Sequence, residues 1–440
     1  MTNKVFGMIS LGCDKNRVDG ERLLGEIVQR GYSITDDLGK AQVLIVNTCA
    51  FLNEARKEAI ETVLESNGYR AGVLEKIVVS GCLPQKYIGE LFPELTEADV
   101  FLGINDADKL FSALERAYEG ERVNAVGGGT GNAMGARVIT TAPHIKYLKI
   151  SDGCSNHCTY CLIPKIRGKY RSYPMDQLLE EAKSLGQTDE LILVAQDTTR
   201  YGEDLYGENK FVDLIKNISK LDNICHIRLL YCYPEKIDGA LIAEIRDNPK
   251  VIKYLDIPLQ HSEDRILKLM GRRGTRAEYL ALFEKLRSEI PEIAIRTTFI
   301  AGFPTETEEE FESLKRFLTE AKLTNCGFFA YSREPETPAY RMSGHIPAKT
   351  KKRRVKALYS CQAEISQGIL NSFIGQTVEV VCDGIDFEKS CFIGRTYFQA
   401  PEIDGNVYFT AERAETGKRY LLKIEKADTY DLFATAQEAL

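Results

Sequence analysis

Three cysteines stand three and then two residues apart in Cys154-Ser155-Asn156-His157-Cys158-Thr159-Tyr160-Cys161. Thiolates are soft ligands suited to iron–sulfur clusters or zinc, and three in one short loop can hold three irons of a [4Fe–4S] cluster. The fourth iron is then left for an exogenous ligand, which makes the centre chemical and not merely structural. A closed zinc site needs a fourth protein ligand, and His157 is a poor one because it lies inside the loop that must wrap the metal. Gly153 and Asn156 favour a tight loop over a packed strand, which argues against three core thiols spaced this way by chance.

A second set lies in the first hundred residues. Cys13 sits in Ser10-Leu11-Gly12-Cys13-Asp14-Lys15-Asn16, after a strand-like run and before a helical pattern from Asp19 to Arg30. Cys49 follows the β-branched run Val43-Leu44-Ile45-Val46 and precedes a charged helical stretch from Asn53 to Ser66. Cys82 follows Ile77-Val78-Val79, with Leu83-Pro84-Gln85 opening the next helix. Strands alternating with helices predict a parallel α/β sheet, and such sheets place their sites just past the carboxyl ends of their strands. All three cysteines are therefore expected on one edge. Any one alone is most simply a buried core thiol. Three at equivalent strand ends, two beside glycines that admit close approach, predict a second three-cysteine cluster. Cys225, Cys232, Cys326, Cys361, Cys382 and Cys391 show no ligand spacing and are expected to pack.

The CxxxCxxC loop resembles the signature of the radical S-adenosylmethionine (SAM) enzymes, and its pairing with an N-terminal three-cysteine unit resembles the methylthiotransferases over essentially the whole chain. Four local words are similar to the RimO branch, whose members methylthiolate ribosomal protein twelve of the small subunit. They are Leu11-Gly12-Cys13-Asp14-Lys15-Asn16, Asn47-Thr48-Cys49-Ala50-Phe51, Gly81-Cys82-Leu83-Pro84-Gln85, and Ile150-Ser151-Asp152-Gly153-Cys154 with Arg167-Gly168-Lys169-Tyr170-Arg171-Ser172. The sister branch, which modifies a tRNA adenosine, usually has Gln-Met-Asn after the first cysteine and Met-Ala-Gln after the third; those words are absent. The resemblance implies two [4Fe–4S] clusters and SAM as cofactors. Cys154, Cys158 and Cys161 would hold the cluster whose open iron takes the amino and carboxylate groups of SAM, and Cys13, Cys49 and Cys82 the auxiliary cluster. It also implies an external electron donor and, as target, the β-carbon of an aspartate. Acid–base chemistry cannot take hydrogen from that carbon at neutral pH, so no side-chain acid or base is expected to be catalytic. One SAM would methylate a sulfur carried on the auxiliary cluster, and a second would yield the deoxyadenosyl radical.

From Lys146 onward the pattern predicts strands at 147–150, 190–195, 227–231, 254–257, 294–299 and 326–331. Six such units fit a partial TIM barrel, which binds ligands at the carboxyl ends of its strands. The SAM-binding candidates are therefore Gln196 and Asp197 after the second strand, Gln260 after the fourth, Arg296 and Thr298 on the fifth, and Gly302 after it. Polar side chains there can bond the SAM amine and ribose, Arg296 can pair with the carboxylate, and glycine lets the backbone meet the adenine. Each has a plainer reading as a strand-end cap or turn residue, and Gly302-Phe303-Pro304 is simply a good turn. Tyr160 resembles the family position near the adenine, with packing over the cluster as its alternative. His261 stands alone and reads equally as a core histidine.

The 440 residues, 44% hydrophobic, allow two or three domains with their own cores. No apolar run is long enough to span a bilayer and the opening Met1-Thr2-Asn3-Lys4 leads straight into a strand pattern, so a cytoplasmic chain without membrane partners is expected. The expected order is an N-terminal parallel α/β unit over 1–126, a linker over 127–140, a partial TIM barrel with a C-terminal helix over 141–372, and a small antiparallel β-barrel over 373–440. The resemblance makes that last unit an OB-like TRAM module. Gly127-Gly128-Gly129-Thr130-Gly131 reads as a flexible connector, since no Lys-Ser/Thr follows to make a phosphate loop. The run from Lys349 to Lys356 begins a long helix to about Leu370, and is read first as a solvated face and second as a contact for ribosomal RNA. From Phe373 onward there are twelve acidic and seven basic residues, net −5. Nucleic-acid affinity depends on Lys and Arg meeting phosphates, so this tail suits a basic protein partner; a local basic face of Lys418, Arg419 and Lys423 is the alternative. The rival functions are tRNA methylthiolation and, in another class, a non-catalytic iron–sulfur factor on the ribosome. A purely structural cluster is normally closed by four protein ligands, which the open CxxxCxxC set is not.

Overall fold

The structure, a computed structural model, describes residues 4–129 and 137–439. Part of the expected connector, Thr130 and Gly131 included, lies outside the described residues.

The first unit is a six-stranded, wholly parallel sheet. At its centre the strands Val5–Ser10, Val43–Thr48 and Lys76–Gly81 lie side by side. Helices cover both faces, so successive residues alternate between two apolar layers: Leu44 and Val46 pack on one side, Val43 and Ile45 on the other. The helix expected from Asp19 begins earlier, at Asp14, with Cys13 at its N-cap and the carboxylate of Asp14 in the first turn, where the helix dipole favours an anion.

The second unit is an open, curled parallel sheet of six strands in sequence order. Its strands are Ile145–Lys149, Thr188–Val194, Ile224–Leu229, Val251–Asp256, Ala294–Ala301 and Asn325–Ala330. This is the half-barrel expected from the sequence. Leu191, Leu193, Leu229 and Phe299 face outward to the covering helices. The inward residues Tyr147, Ile192, Val194 and Tyr254 instead share a core with Phe398, Ala400, Phe409 and Leu422 of the tail, and with Val18 of the first unit. All three parts of the chain therefore meet along the open side of the half-barrel.

The tail is a closed five-stranded barrel. The sequence pattern of the tail predicts four antiparallel strands, at 377–382, 391–396, 407–410 and 420–427, with a turn at Asp383-Gly384 after the first. Two features depart from that expectation. The first strand, Thr377–Asp386, runs through Asp383-Gly384, because Gly384 (φ +152°) takes up a register shift as a bulge instead of a turn. A fifth strand, Leu432–Ala439, closes the barrel and pairs in parallel with Val407–Thr410. Its three alanines give it little strand signal.

Polar pairs close the seam between tail and half-barrel. Glu190, buried, takes Arg228 at 2.5 Å and Arg395 at 3.1 Å; Arg395 also meets Asp383 at 2.7 Å. Arg419 pairs with Asp189 at 2.8 Å and with Glu379 at 2.5 Å, so it is spent and cannot join Lys418 and Lys423 in a free basic face. The long helix Ala348–Asn371 packs against the sheet, and much of its basic run is used internally. Arg354 meets Glu306 at 2.7 Å, Arg353 meets Glu308 at 2.8 Å, and Lys351 donates to the Tyr331 carbonyl at 2.7 Å. No helix among the described residues is long and apolar enough to cross a membrane.

Candidate active site

Cys13, Cys49 and Cys82 each follow one of the three central strands, so the parallel register carries them to one edge: Ser10 lies opposite Asn47, and Asn47 opposite Ser80. Two glycines make this possible. Gly12 (φ +131°) would place a Cβ 3.1 Å from that of Cys49, and Gly81 (φ +99°) would drive one to 2.6 Å from the Thr48 carbonyl. Both positions need the left-handed backbone and the absent side chain. Polar ties hold the three loops together. Asn16 Nδ2 donates to the carbonyls of Leu11 (3.1 Å) and Thr48 (3.3 Å), Asn47 Nδ2 donates to the Asn16 carbonyl at 2.9 Å, and Thr48 Oγ1 donates to the Ser80 carbonyl at 2.6 Å. Burial raises the thiol pKa of Cys49, with the charge of Cys13 adding to it, and pushes that of Cys82 up to about 12 against the opposing pull of Arg167.

The second set occupies the loop between the short strand Ser151–Asp152 and the helical turn Ile163–Ile166. Gly153 (φ +71°) again opens the loop: a Cβ there would lie 2.2 Å from the Lys169 carbonyl. Cys154 N–H donates to the Gly168 carbonyl at 3.1 Å and Thr159 N–H to that of Met270 at 2.9 Å, so the loop is clamped from two sides. His157 takes a left-handed backbone (φ +52°) and is exposed. Ile163 N–H donates to Cys161 Sγ at 3.4 Å. Burial pushes the Cys154 thiol up to about 11 and that of Cys161 higher still. Among the described residues no three His, Cys, Asp or Glu side chains converge tightly enough for a single ion. A three-thiolate cluster does not ask for that, since each sulfur takes a different iron.

The candidates at the mouth of the half-barrel fall into two groups. Gln196 has both amide atoms buried with no hydrogen-bond partner among the described residues. Gln260 sits in a left-handed conformation (φ +75°) and donates its N–H to the Thr298 carbonyl at 2.8 Å, which joins the ends of the fourth and fifth strands. These lie where a polar ligand at the mouth would be read. The others already have work within the chain. Asp197 accepts from Asn156 Nδ2 at 2.7 Å and from Thr199 Oγ1 at 3.0 Å, so it braces the cysteine loop; burial raises its pKa. Arg296 holds Asp256 at 2.8 Å and Asp404 at 3.4 Å. Gly302 (φ +77°) faces the Lys351 side chain, and Tyr160 packs beside Met270, Phe303 and Tyr331. His261 is fully buried with Glu306 at 3.6 Å.

The two cysteine sets face one seam. Helix Asp14–Gln29 lies over the half-barrel: the Lys15 ammonium is 3.2 Å from the centre of the Tyr231 ring, whose hydroxyl donates to Asp14 at 3.1 Å. Below them, Asp19 and Asp152 are bound by Lys149 and Arg167, all four buried. Arg167 extends its other edge to Cys82 Sγ at 3.5 Å. Arg167 and Asp152 appear in the sequence only as letters of a motif, and the contact of Arg167 with Asp19 is not foreseen there, because Asp19 and Arg167 are 148 residues apart and no local spacing links them.

Comparison with known proteins agrees with this arrangement part by part. The family model for the radical SAM superfamily matches residues 148–318, the uncharacterized protein family UPF0004 matches 5–103, and the TRAM domain matches 374–436. A solved cobalamin-dependent SAM radical enzyme, OxsB, shares the fold at a TM-score of 0.51 and 10% identity, covering 82% of this chain and 58% of that one. Ribosomal protein uS12 methylthiotransferase RimO of Lachnoclostridium phytofermentans is 43% identical over 99% of this chain and 100% of the relative. The enzyme of the same name from Clostridium tetani is 44% identical over 98% of each. With identity at this level along its whole length, and with the three matched parts in the order the fold shows, the chain belongs to the RimO family of ribosomal protein uS12 methylthiotransferases.

Proposed function

We propose that this chain is a radical SAM methylthiotransferase that places a methylthio group on the β-carbon of an aspartate in ribosomal protein uS12. The observation that carries the reading is the meeting of two three-cysteine sets at one buried seam. Cys154, Cys158 and Cys161 would hold the SAM-binding cluster and Cys13, Cys49 and Cys82 the auxiliary one. The donor sets fit, because each offers three sulfurs in largely buried loops opened by left-handed glycines. The unpartnered amide of Gln196 fits a polar ligand beside the second set. When bound, these groups supply a transferable methyl group, a sulfur carrier and hydrogen-atom abstraction from an unactivated carbon.

The chain's own part is to position and to shield. Asp197 and Arg200 grip Asn156 and so set the shape of the Cys154 loop, while Gln196 offers a donor and an acceptor at the mouth. Helix Asp14–Gln29 closes over the half-barrel and keeps water from the seam. The tail's net −5 supports a basic protein as target over tRNA, and internal pairing of Arg353 and Arg354 weighs against a broad RNA face on the long helix. Such an enzyme works in the cytoplasm with an external electron donor. The test is anaerobic: the reconstituted protein receives SAM and a reductant with uS12 or with tRNA, and products are weighed by mass spectrometry. A methylthio gain on a uS12 aspartate is expected; a gain on tRNA alone would overturn the substrate assignment.

A further inference from the structure

Arg167 touches both sides of the seam, and its contacts do more than balance charge. Nη1 donates to Asp19 Oδ2 at 2.9 Å and to Asp152 at 3.1 and 3.2 Å, while Nη2 donates to Cys82 Sγ at 3.5 Å. The side chain is 1% exposed. Lys149 meets the same two carboxylates, so the four groups sum to zero charge. A second lysine would balance them equally well. What a guanidinium adds is another donor edge in a fixed plane, and that edge faces sulfur. The backbone around Arg167 is also tied to the other cysteine set. The Gly168 carbonyl accepts from Cys154 N–H, the Lys169 carbonyl fills the space where Gly153 lacks a Cβ, and Asp152 Oδ1 accepts from Gly153 N–H at 2.8 Å. One residue thus fixes Cys82 against the loop of Cys154.

We propose that Arg167 is the positioning residue between the two cysteine sets, and that its N–H donates to the Cys82 thiolate so as to raise the reduction potential of the auxiliary cluster. Hydrogen bonds to cluster sulfurs and nearby positive charge favour the reduced, more negative form. The inference rests on the auxiliary-site reading above, and the experiment separates the two. Full-length protein carrying Cys154→Ala, Cys158→Ala and Cys161→Ala keeps only the auxiliary cluster, whose midpoint potential is then followed by EPR redox titration with Arg167 intact, as R167Q and as R167K. The lysine variant keeps the charge that Asp19 and Asp152 need, so it guards against loss of the fold. Both variants should hold the same iron as the parent and titrate at lower potential, R167Q by the larger shift. A potential unchanged in R167K at full iron content overturns the proposal. A second readout needs no change at Arg167: with ¹⁵N-arginine as the only label, pulsed EPR of the reduced cluster should show a ¹⁵N coupling that R167K removes, and its absence in the parent also overturns it. If the parent binds no cluster at all, the auxiliary-site reading itself fails and this inference with it.

Discussion

At the residue scale, the site depends on glycines as much as on cysteines. Gly153→Ala forces a left-handed alanine, which costs about 1–2 kcal/mol, and drives its Cβ into the Lys169 carbonyl, a backbone atom that cannot swing aside. Iron per chain should fall by half and SAM cleavage should vanish while the auxiliary cluster stays; full iron with normal cleavage would show the loop tolerates the change. The cysteines themselves were legible in the sequence, because spacing and strand-end placement are local properties. Asn16 and Asn47 were legible only as neighbours in motifs and Asp197 only as a strand-end candidate for SAM, and their work of tying loops together needed the fold. Lys149, Asp152 and Arg167 were illegible as a group, since Asp19, which shares Lys149 and Arg167 with Asp152, comes from the other side of the seam.

At the scale of elements, the attachment of the tail rests on Glu190. Burial alone would raise its pKa, but Arg228 and Arg395 outweigh that and hold it at about 2. A carboxylate so depressed stabilises the folded state above its ordinary range near pH 4.5, and this contribution is lost as the pH falls through that range toward 2. Asp189, held down to about 2 by its contacts with His226 and Arg419, behaves alike. Hydrogen exchange in the tail strands should therefore quicken between about pH 4 and pH 2 before the core of the first sheet opens; simultaneous opening would contradict this. Arg395→Ala strands a buried Glu190 beside Arg228 alone and should cost about 3 kcal/mol, the lower end for breaking a buried pair, read as a lower denaturation midpoint. The six half-barrel strands could be drawn from the sequence because buried parallel strands are continuous apolar runs. The tail's last strand could not, for Leu432–Ala439 takes its strand character from two neighbours and not from its residues.

At the scale of the whole molecule, a second buried group of charges pins the first unit to the half-barrel. Glu181 accepts from Arg22 at 2.8 Å and from Arg137 at 2.8 Å, and Arg137 meets Glu21 at 2.5 Å. Glu181→Ala leaves two buried arginines short of a partner, and should loosen helix Asp14–Gln29 in hydrogen exchange and lower methylthio transfer more than SAM cleavage. Equal losses in both would mean that the helix serves only stability. The seam explains why the two cysteine sets sit on different units: their spacing is set by docking and can be held by contacts far from either loop.

The central claim is a division of labour between the sets, and one measurement tests it directly. The protein with Cys13, Cys49 and Cys82 all changed to alanine is reconstituted anaerobically and given SAM, reductant and uS12, with deoxyadenosine and methylthiolated uS12 counted in the same tube. Deoxyadenosine should still form while methylthiolated uS12 does not. Methylthio transfer by that variant would contradict the account.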